Sequence, residues 1–223
     1  MKEARIFGLG TRVPEETTIE TLMALEECRV VYSGLQDKRV EAWLKRRVRG
    51  LKPLRSPAEL VAAVKAGGPV GLAVWGHPQF SSALARRVQA ELRAAKLECR
   101  NYGAVSPIGS AFARSVSFLG GDYGYQGVQA YELETLLQEP ARWTPRLPLV
   151  AYAEAAAPDR WKALKAVLAA KLDGRHELRV YPVGSDVEKR VALARFPGPG
   201  LRGAVVLVPP AAGAPKRPHD TAK

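Results

Sequence analysis

Val70-Gly71-Leu72-Ala73-Val74-Trp75-Gly76-His77-Pro78 is the stretch on which the reading of the fold turns. From Val70 to Trp75 it is uncharged and apolar without interruption, the pattern of a strand buried on both faces between helices. The run stops abruptly at Gly76-His77-Pro78. Proline fixes its own φ and has no N–H to donate, so the loop leaving this strand has a rigid shape. Immediately upstream, Ser56-Pro57-Ala58-Glu59 reads as a helix start, with proline in the first turn and an acid in the capping-box position. That helix runs to Ala66 and stops at Gly67-Gly68-Pro69. Downstream, Ser81 or Ser82 starts a second helix through Leu97.

The same alternation extends in both directions. Towards the N-terminus, Ala4 to Leu9 is a short apolar strand ending in Gly8-Leu9-Gly10. A helix follows, capped by Thr17 or Thr18 and carrying Ile19, Leu22, Met23 and Leu25 at helical spacing. Arg29 to Tyr32 is a second strand, and Val40 to Val48 a helix with Val40, Trp43, Leu44 and Val48 on one side. Towards the C-terminus, Glu98 to Tyr102 is a strand, Gly103 to Pro107 a turn, and a helix runs on through Phe118. Gly127 to Tyr131, Leu147 to Ala153, Glu177 to Pro182, Val191 to Phe196 and Gly203 to Val208 read as strands, with helices over Glu132 to Gln138 and Pro158 to Leu172. Such alternation predicts an α/β protein with mainly parallel strands in each half. The halves join near Tyr102.

Composition narrows the class. The chain has 223 residues, 47% of them hydrophobic, enough for a real core. Its formal net charge is +12. That balance is compatible with an acidic partner and equally with a generally arginine-rich composition. The densest basic run, Lys45-Arg46-Arg47-Val48-Arg49, follows an apolar stripe and reads as a solvated helix end rather than a nucleic-acid patch. Cys28 and Cys99 are the only cysteines; they form neither a metal-ligand spacing nor a disulfide framework, so no metal site is expected. No signal-like leader and no run of about 18 uncharged apolar residues is present. The expectation is a soluble protein of a reducing compartment, the cytoplasm, with no membrane partner.

In open α/β sheets, ligands bind outside the carboxyl ends of the strands. Three loops there have suitable chemistry. Gly8-Leu9-Gly10 lets a ligand or another loop approach the backbone, and a plain tight turn explains it equally well. It is not GxGxxG, because Val13 stands three residues after Gly10, so a dinucleotide site is not supported. Gly76-His77-Pro78 suits a neutral, mixed ligand better than a phosphate, which requires several N–H donors in a row. His77 reads as a base, a polar contact or a residue that shapes the loop. Ser106, in Gly103-Ala104-Val105-Ser106-Pro107, caps the next helix or bonds a ligand.

The order of these loops resembles the tetrapyrrole methylase superfamily, and in detail its borosin branch of peptide-backbone N-methyltransferases, over about residues 4 to 209. The matching stretches are Gly8-Leu9-Gly10, Thr18-Ile19-Glu20-Thr21-Leu22, Val30-Val31-Tyr32, Asp37 with Glu41-Ala42-Trp43-Leu44, Trp75-Gly76-His77-Pro78 with Phe80, Tyr102-Gly103-Ala104-Val105-Ser106, Gln129-Ala130-Tyr131-Glu132 and Val206-Leu207-Val208-Pro209-Pro210. Tetrapyrrole methylases usually carry Gly-Asp-Pro where this chain and the borosin enzymes carry Gly-His-Pro.

The resemblance implies two α/β domains, 1–102 with the Gly-His-Pro loop and 103–209, a cofactor cleft between them, and a disordered tail over 210–223. It implies S-adenosylmethionine as cofactor, contacted by Trp75, Gly76, His77, Pro78, Phe80, Gly103, Ala104, Ser106 and Tyr152. Gly8, Gly10 and Arg55 would face the substrate, with Arg49 and Tyr131 as candidate catalytic residues. Borosin enzymes carry an arginine and several tyrosines in the stretch that here reads Arg49-Gly50-Leu51-Lys52-Pro53-Leu54-Arg55; Arg49 or Arg55 can replace the arginine, and nothing replaces the phenols. The expected activity is N-methylation of a separate precursor peptide, as in RiPP biosynthesis, by a homodimer. Methylation of a tetrapyrrole or other small molecule is the alternative, and an inactive member acting as a binding subunit is a third reading.

Overall fold

In the computed structural model the five strands of the first half form one sheet, with the three central strands buried along most of their length and the two edge strands more exposed. The structure describes residues 2–35, 37–80, 82–114, 127–153, 156–183, 185, 187–198, 200–201 and 203–211, with side chains described only to residue 110 in the helix that ends at 114. The chain divides into two units, Met1–Ser106 and Pro107–Lys223.

The first unit runs β1 (Lys2–Gly8), α1 (Ile19–Glu26), β2 (Val30–Ser33), α2 (Lys38–Lys45), β3 (Leu51–Pro53), α3 (Pro57–Lys65), β4 (Gly68–Val74), α4 (Ala83–Ala94) and β5 (Glu98–Tyr102). The sheet order is β3-β2-β4-β1-β5, and every pairing is parallel. Each helix starts on a side-chain cap. Asp37 Oδ1 accepts from the N–H groups of Arg39 and Val40 at 2.8 and 3.1 Å. Ser56 Oγ accepts from Glu59 N and Ser82 Oγ from Ala85 N, satisfying first-turn donors that have no partner inside the helix. Of the two serines expected to start α4, Ser82 is the cap; Ser81 lies outside the described residues. On one face of the sheet, Ile6, Val30, Leu72 and Val74 pack with Leu60 and Val64 of α3 and Val88 and Leu92 of α4. On the other, a Cβ at Gly71 would stand 2.8 Å from Phe7, 3.0 Å from Val31 and 3.3 Å from Cys28. Glycine lets these three side chains close over the middle of the sheet.

Helix α1 departs from the expected apolar stripe: Leu25 is buried as expected, but Ile19 is 76% and Met23 64% exposed, and Thr21 and Ala24 complete the buried side. The buried stripe is set by the Thr21 hydroxyl, which has a carbonyl partner, rather than by apolar side chains alone. The stretch after Arg49, for which no element was expected, contains the edge strand β3, only three residues long and ending in proline.

The second unit runs α5 (Pro107–Arg114), β6 (Gln129–Glu132), α6 (Leu133–Gln138), a 3₁₀ turn (Pro140–Arg142), β7 (Leu149–Ala153), α7 (Pro158–Ala169), β8 (Glu177–Pro182), β9 (Lys189–Ala192), a second 3₁₀ turn (Leu193–Arg195) and β10 (Ala204–Val208). The expected continuation of α5 to Phe118 falls outside the described residues, as does the tail from 212 onward. The sheet order is β6-β7-β10-β8-β9. Only β6 and β7 pair in parallel; β7–β10, β10–β8 and β8–β9 are antiparallel. The expectation of mainly parallel strands in this half is therefore overturned. Helix α7 carries the chain from β7 to β8, which do run the same way, but the last strand, β10, inserts between them in the opposite sense. The predicted strand over Val191–Phe196 ends at Ala192 and continues as a 3₁₀ turn that places Phe196 edge-on to Trp161, centroids 6.2 Å apart at 88°. These rings join Leu164, Leu168, Ala151, Val206 and Val208 in the core under α6 and α7.

Candidate functional site

Because every strand of the first sheet points the same way, all their carboxyl ends lie on one edge. Strands β4, β1 and β5 are neighbours, so the loops after them, carrying Gly76-His77-Pro78, Gly8-Leu9-Gly10 and Gly103-Ala104-Val105-Ser106, meet there. Beyond the last ladder pair, Leu9 N donates to Val74 O at 3.1 Å. Gly10 and Gly76 then exchange two main-chain bonds, Gly10 N to Gly76 O at 3.3 Å and Gly76 N to Gly10 O at 2.8 Å. Both residues have positive φ, +80° and +63°, which glycine adopts without strain. A Cβ on Gly8 would lie 2.4 Å from Gly76 O and 2.7 Å from Pro78 Cδ. The Gly-His-Pro turn thus folds directly over the end of β1.

His77 ties the second loop to the third. Its Nδ1 accepts from Gln79 N at 3.2 Å. The ring lies against Gly103, where a Cβ would come within 3.1 Å of Nε2 and 3.4 Å of Cδ2. Gly103 O accepts from Thr21 Oγ1 at 2.9 Å, and Thr18 Oγ1 stands 3.1 Å from the same oxygen. Phe80 N donates to His77 O at 2.9 Å, closing the turn. Trp75 is buried and donates from Nε1 to Leu35 O at 3.1 Å, so its indole braces the chain after β2. Ser106 is half-buried and directly precedes α5.

The first loop is closed by a residue that carried no signal in the sequence. Glu16 is 4% exposed. Its Oε2 accepts from Thr11 N, Thr11 Oγ1 and Arg12 N at 2.7, 2.8 and 3.1 Å, and its Oε1 from Arg12 Nε at 3.0 Å. Its main-chain oxygen accepts from Val105 N at 3.3 Å. Thr21, part of the matching stretch Thr18–Leu22 but not among the candidate site residues, is wholly buried.

The remaining candidates are distributed differently. Arg55 follows the carboxyl end of β3, on the same sheet edge; it is exposed, and its N–H donates to Glu59 Oε2 at 3.2 Å. Arg49 precedes β3 beside Gly50, whose oxygen accepts from Val31 N. It therefore sits at the amino edge of the sheet, the opposite end from the three loops. Tyr131 and Tyr152 belong to the second unit. Register puts Tyr131 opposite Ala151 and Glu132 opposite Tyr152, so the two phenols project from opposite faces. Tyr131 packs against the core beneath α6 and α7 and donates to Arg142 O at 3.4 Å.

Other groups offer less chemistry. Burial lifts the Cys28 thiol to about 12 and the Cys99 thiol to about 11, so neither is a thiolate nucleophile near neutrality. Among the described residues no cluster of His, Cys, Asp and Glu could hold a metal, and no helix is long and apolar enough to cross a membrane. A cavity of about 240 Å³ in the second unit, beside Val180, Val191, Phe196 and Leu201, has Lys189 as the charged residue of its described lining.

No protein-family model and no curated protein matches the sequence. Among solved structures, uroporphyrin-III-C-methyltransferase from Thermus thermophilus is similar, with a TM-score of 0.69 and 22% identity over 94% of this chain and 94% of that one. The methyltransferase CobJ gives 0.68 and 20%, again over 94% of each. A uroporphyrin-III C-methyl transferase from Thermus thermophilus complexed with S-adenyl homocysteine gives 0.67 and 19%, over 92% of this chain and 97% of that one. The likeness is one of fold, and it spans both units: this chain has the two-sheet α/β fold of those methyltransferases.

Proposed function

We propose that this chain is an S-adenosylmethionine-dependent methyltransferase that holds its cofactor at the carboxyl edge of the first sheet and acts on a tetrapyrrole-type acceptor. The observation that carries the reading is the meeting of three small-residue loops at that edge, locked by the Gly10–Gly76 pair and by His77 against Gly103, in a fold otherwise seen in tetrapyrrole C-methyltransferases. The solved relative that carries S-adenyl homocysteine supports the cofactor.

The loop chemistry fits a cationic sulfonium. Gly76 to Phe80 and Gly103 to Ser106 contain no Lys or Arg, and Arg12 in the first loop is paired with the buried carboxylate of Glu16. When bound, the cofactor supplies an electrophilic methyl group, which passes to a nucleophilic atom of the acceptor as the carbon–sulfur bond breaks. The chain's own contribution is to fix the cofactor in one orientation, which by itself supplies much of the rate of an in-line displacement. In this reading Gly76, Pro78, Phe80, Ala104 and Ser106 line the cofactor, and the chain works as a homodimer.

One observation favours a second acceptor. Gly-His-Pro after an aromatic, here Trp75, supports N-methylation of a peptide supplied in trans. Against it, the stretch Arg49–Arg55 has no phenol, and Arg49 stands at the far edge. An amide N–H is a very weak acid and needs such groups.

Calorimetry with S-adenosylhomocysteine tests the proposal. Binding that is lost in His77→Ala supports it; absence of binding by the wild-type chain overturns it and leaves a non-catalytic binding subunit. Incubation with S-adenosylmethionine and either uroporphyrin-III-type tetrapyrroles or co-expressed precursor peptides, read by mass spectrometry for added methyl groups, separates the acceptors.

A further inference from the structure

We infer that Glu16 is a positioning residue that fixes the three loops in one arrangement and thereby sets the affinity of the site. The loop-fixing role stands on geometry alone; its consequence for cofactor affinity rests on the methyltransferase reading.

Glu16 bonds the first and third loops directly and reaches the second through Gly10. Its carboxylate collects two successive main-chain N–H groups, Thr11 and Arg12, together with the Thr11 hydroxyl and the Arg12 guanidinium. This fixes the turn that leaves Gly10. Its Cβ stands where a Gly10 side chain would be, 2.3 Å from that ideal position, so the loop packs closely on Glu16. Gly10 in turn holds Gly76 through their reciprocal pair, while Glu16 O holds Val105 N. A single path, Val105–Glu16–Gly10–Gly76, thus links the third, first and second loops. Thr17 N to Pro14 O at 3.0 Å and Thr17 Oγ1 to Leu9 O at 2.9 Å close the loop around it.

A carboxylate this buried is stable only while its donors converge on it. The four donors described for Glu16 lie on Thr11 and Arg12, so these bonds hold the charge in one shape of the loop and are lost in others. Glutamine has the same size, but its NH₂ replaces one accepting oxygen and faces either the Arg12 guanidinium or the Thr11 and Arg12 amides, donor against donor. Aspartate is one methylene too short to reach them.

The test uses the full chain. In the protein without cofactor, Glu16→Gln is expected to speed amide hydrogen exchange at Thr11, Arg12, Gly76 and Val105, with Leu72 in β4 and Val206 in β10 unchanged. S-adenosylhomocysteine, measured by calorimetry well below the melting temperature, is expected to bind about tenfold more weakly. Glu15→Gln removes the same charge from an exposed neighbour and is expected to leave exchange and affinity as in the wild type. Thr11→Ala deletes one of the four bonds and gives an intermediate loss, which keeps the inference testable if Glu16→Gln folds poorly. Unchanged exchange at Thr11, Arg12 and Gly76 overturns the loop-fixing role. Faster exchange with affinity kept within about twofold overturns its link to the site. If the wild-type chain binds no S-adenosylhomocysteine, the methyltransferase reading falls, while the exchange result still decides the role of Glu16.

Discussion

The two sheets of this chain are built from similar apolar strands but put their chemistry in different places. In the first, five parallel strands deliver all their carboxyl ends to one edge. Loops far apart in sequence, starting at Gly8, Gly76 and Gly103, become neighbours there, and polar side chains such as Glu16, Thr21 and His77 are used to join them. In the second, β10 runs against both β7 and β8, and β9 runs against β8. The carboxyl ends of its strands are therefore divided between two edges. What the second sheet has is a large aromatic core, with Trp143, Trp161 and Phe196 almost fully buried. Strand direction, more than composition, sets how many strand ends and loops one edge can gather.

Mutations should therefore act on different observables in the two halves. The largest effect is expected from Trp161→Ala, which empties the centre of the second core and removes the edge-on contact with Phe196. A loss of about 3–5 kcal/mol is expected from such a cavity. Denaturant unfolding followed by hydrogen exchange should show early opening of Val150, Val180 and Val206, while Ile6 and Leu72 in the first unit stay protected. Simultaneous opening of both sheets would break the division into two separately packed halves.

Gly8→Ala should do the converse. The added methyl would stand 2.4 Å from Gly76 O, a main-chain atom that can move only with its whole turn. Overpacking of this kind costs about 1–3 kcal/mol, and here the strain falls on the Gly-His-Pro loop. The expected result is loss of S-adenosylhomocysteine binding with the second unit unaffected. An alanine variant that binds like the wild type would show that the close approach of the two loops is not what shapes the site.

The same contrast explains what was legible in the sequence. Two-sided burial leaves a continuous apolar run, so β4 and the stiff turn after it could be read directly from Val70 to Pro78. Strand direction leaves no such mark. Connection length carried a hint, since the six residues between Pro182 and Lys189 are too few for the crossover that parallel strands need, and β8–β9 is indeed antiparallel. Nothing local to Ala204–Val208 indicated that it would slot between β7 and β8. Within the site, glycines and proline were visible because they constrain backbone. The roles of Glu16 and Thr21 were not, because their partners, Thr11, Arg12 and Gly103, are defined only once the loops have closed. Arg49 and Tyr131 were chosen by resemblance to a motif; the structure puts the first at the amino edge of its sheet and the second, half-buried, against the core of the second unit.

Thr21→Val offers the smallest and most discriminating change. Valine keeps the shape of the side chain and removes the hydroxyl that donates to Gly103 O, while Thr18 Oγ1 remains 3.1 Å from that oxygen. Losing one such bond is worth about 0.5–1.5 kcal/mol. If the bond serves mainly to seat the third loop against His77, most of that energy should appear as weaker ligand binding, about two- to tenfold, with little change in the unfolding midpoint. If it serves mainly to dock α1, whose apolar residues Ile19 and Met23 face outward, the midpoint should fall and the affinity should hold. Measuring both quantities on this one variant decides whether the polar contacts of the first sheet act as packing, like the rings of the second, or as the frame of a site.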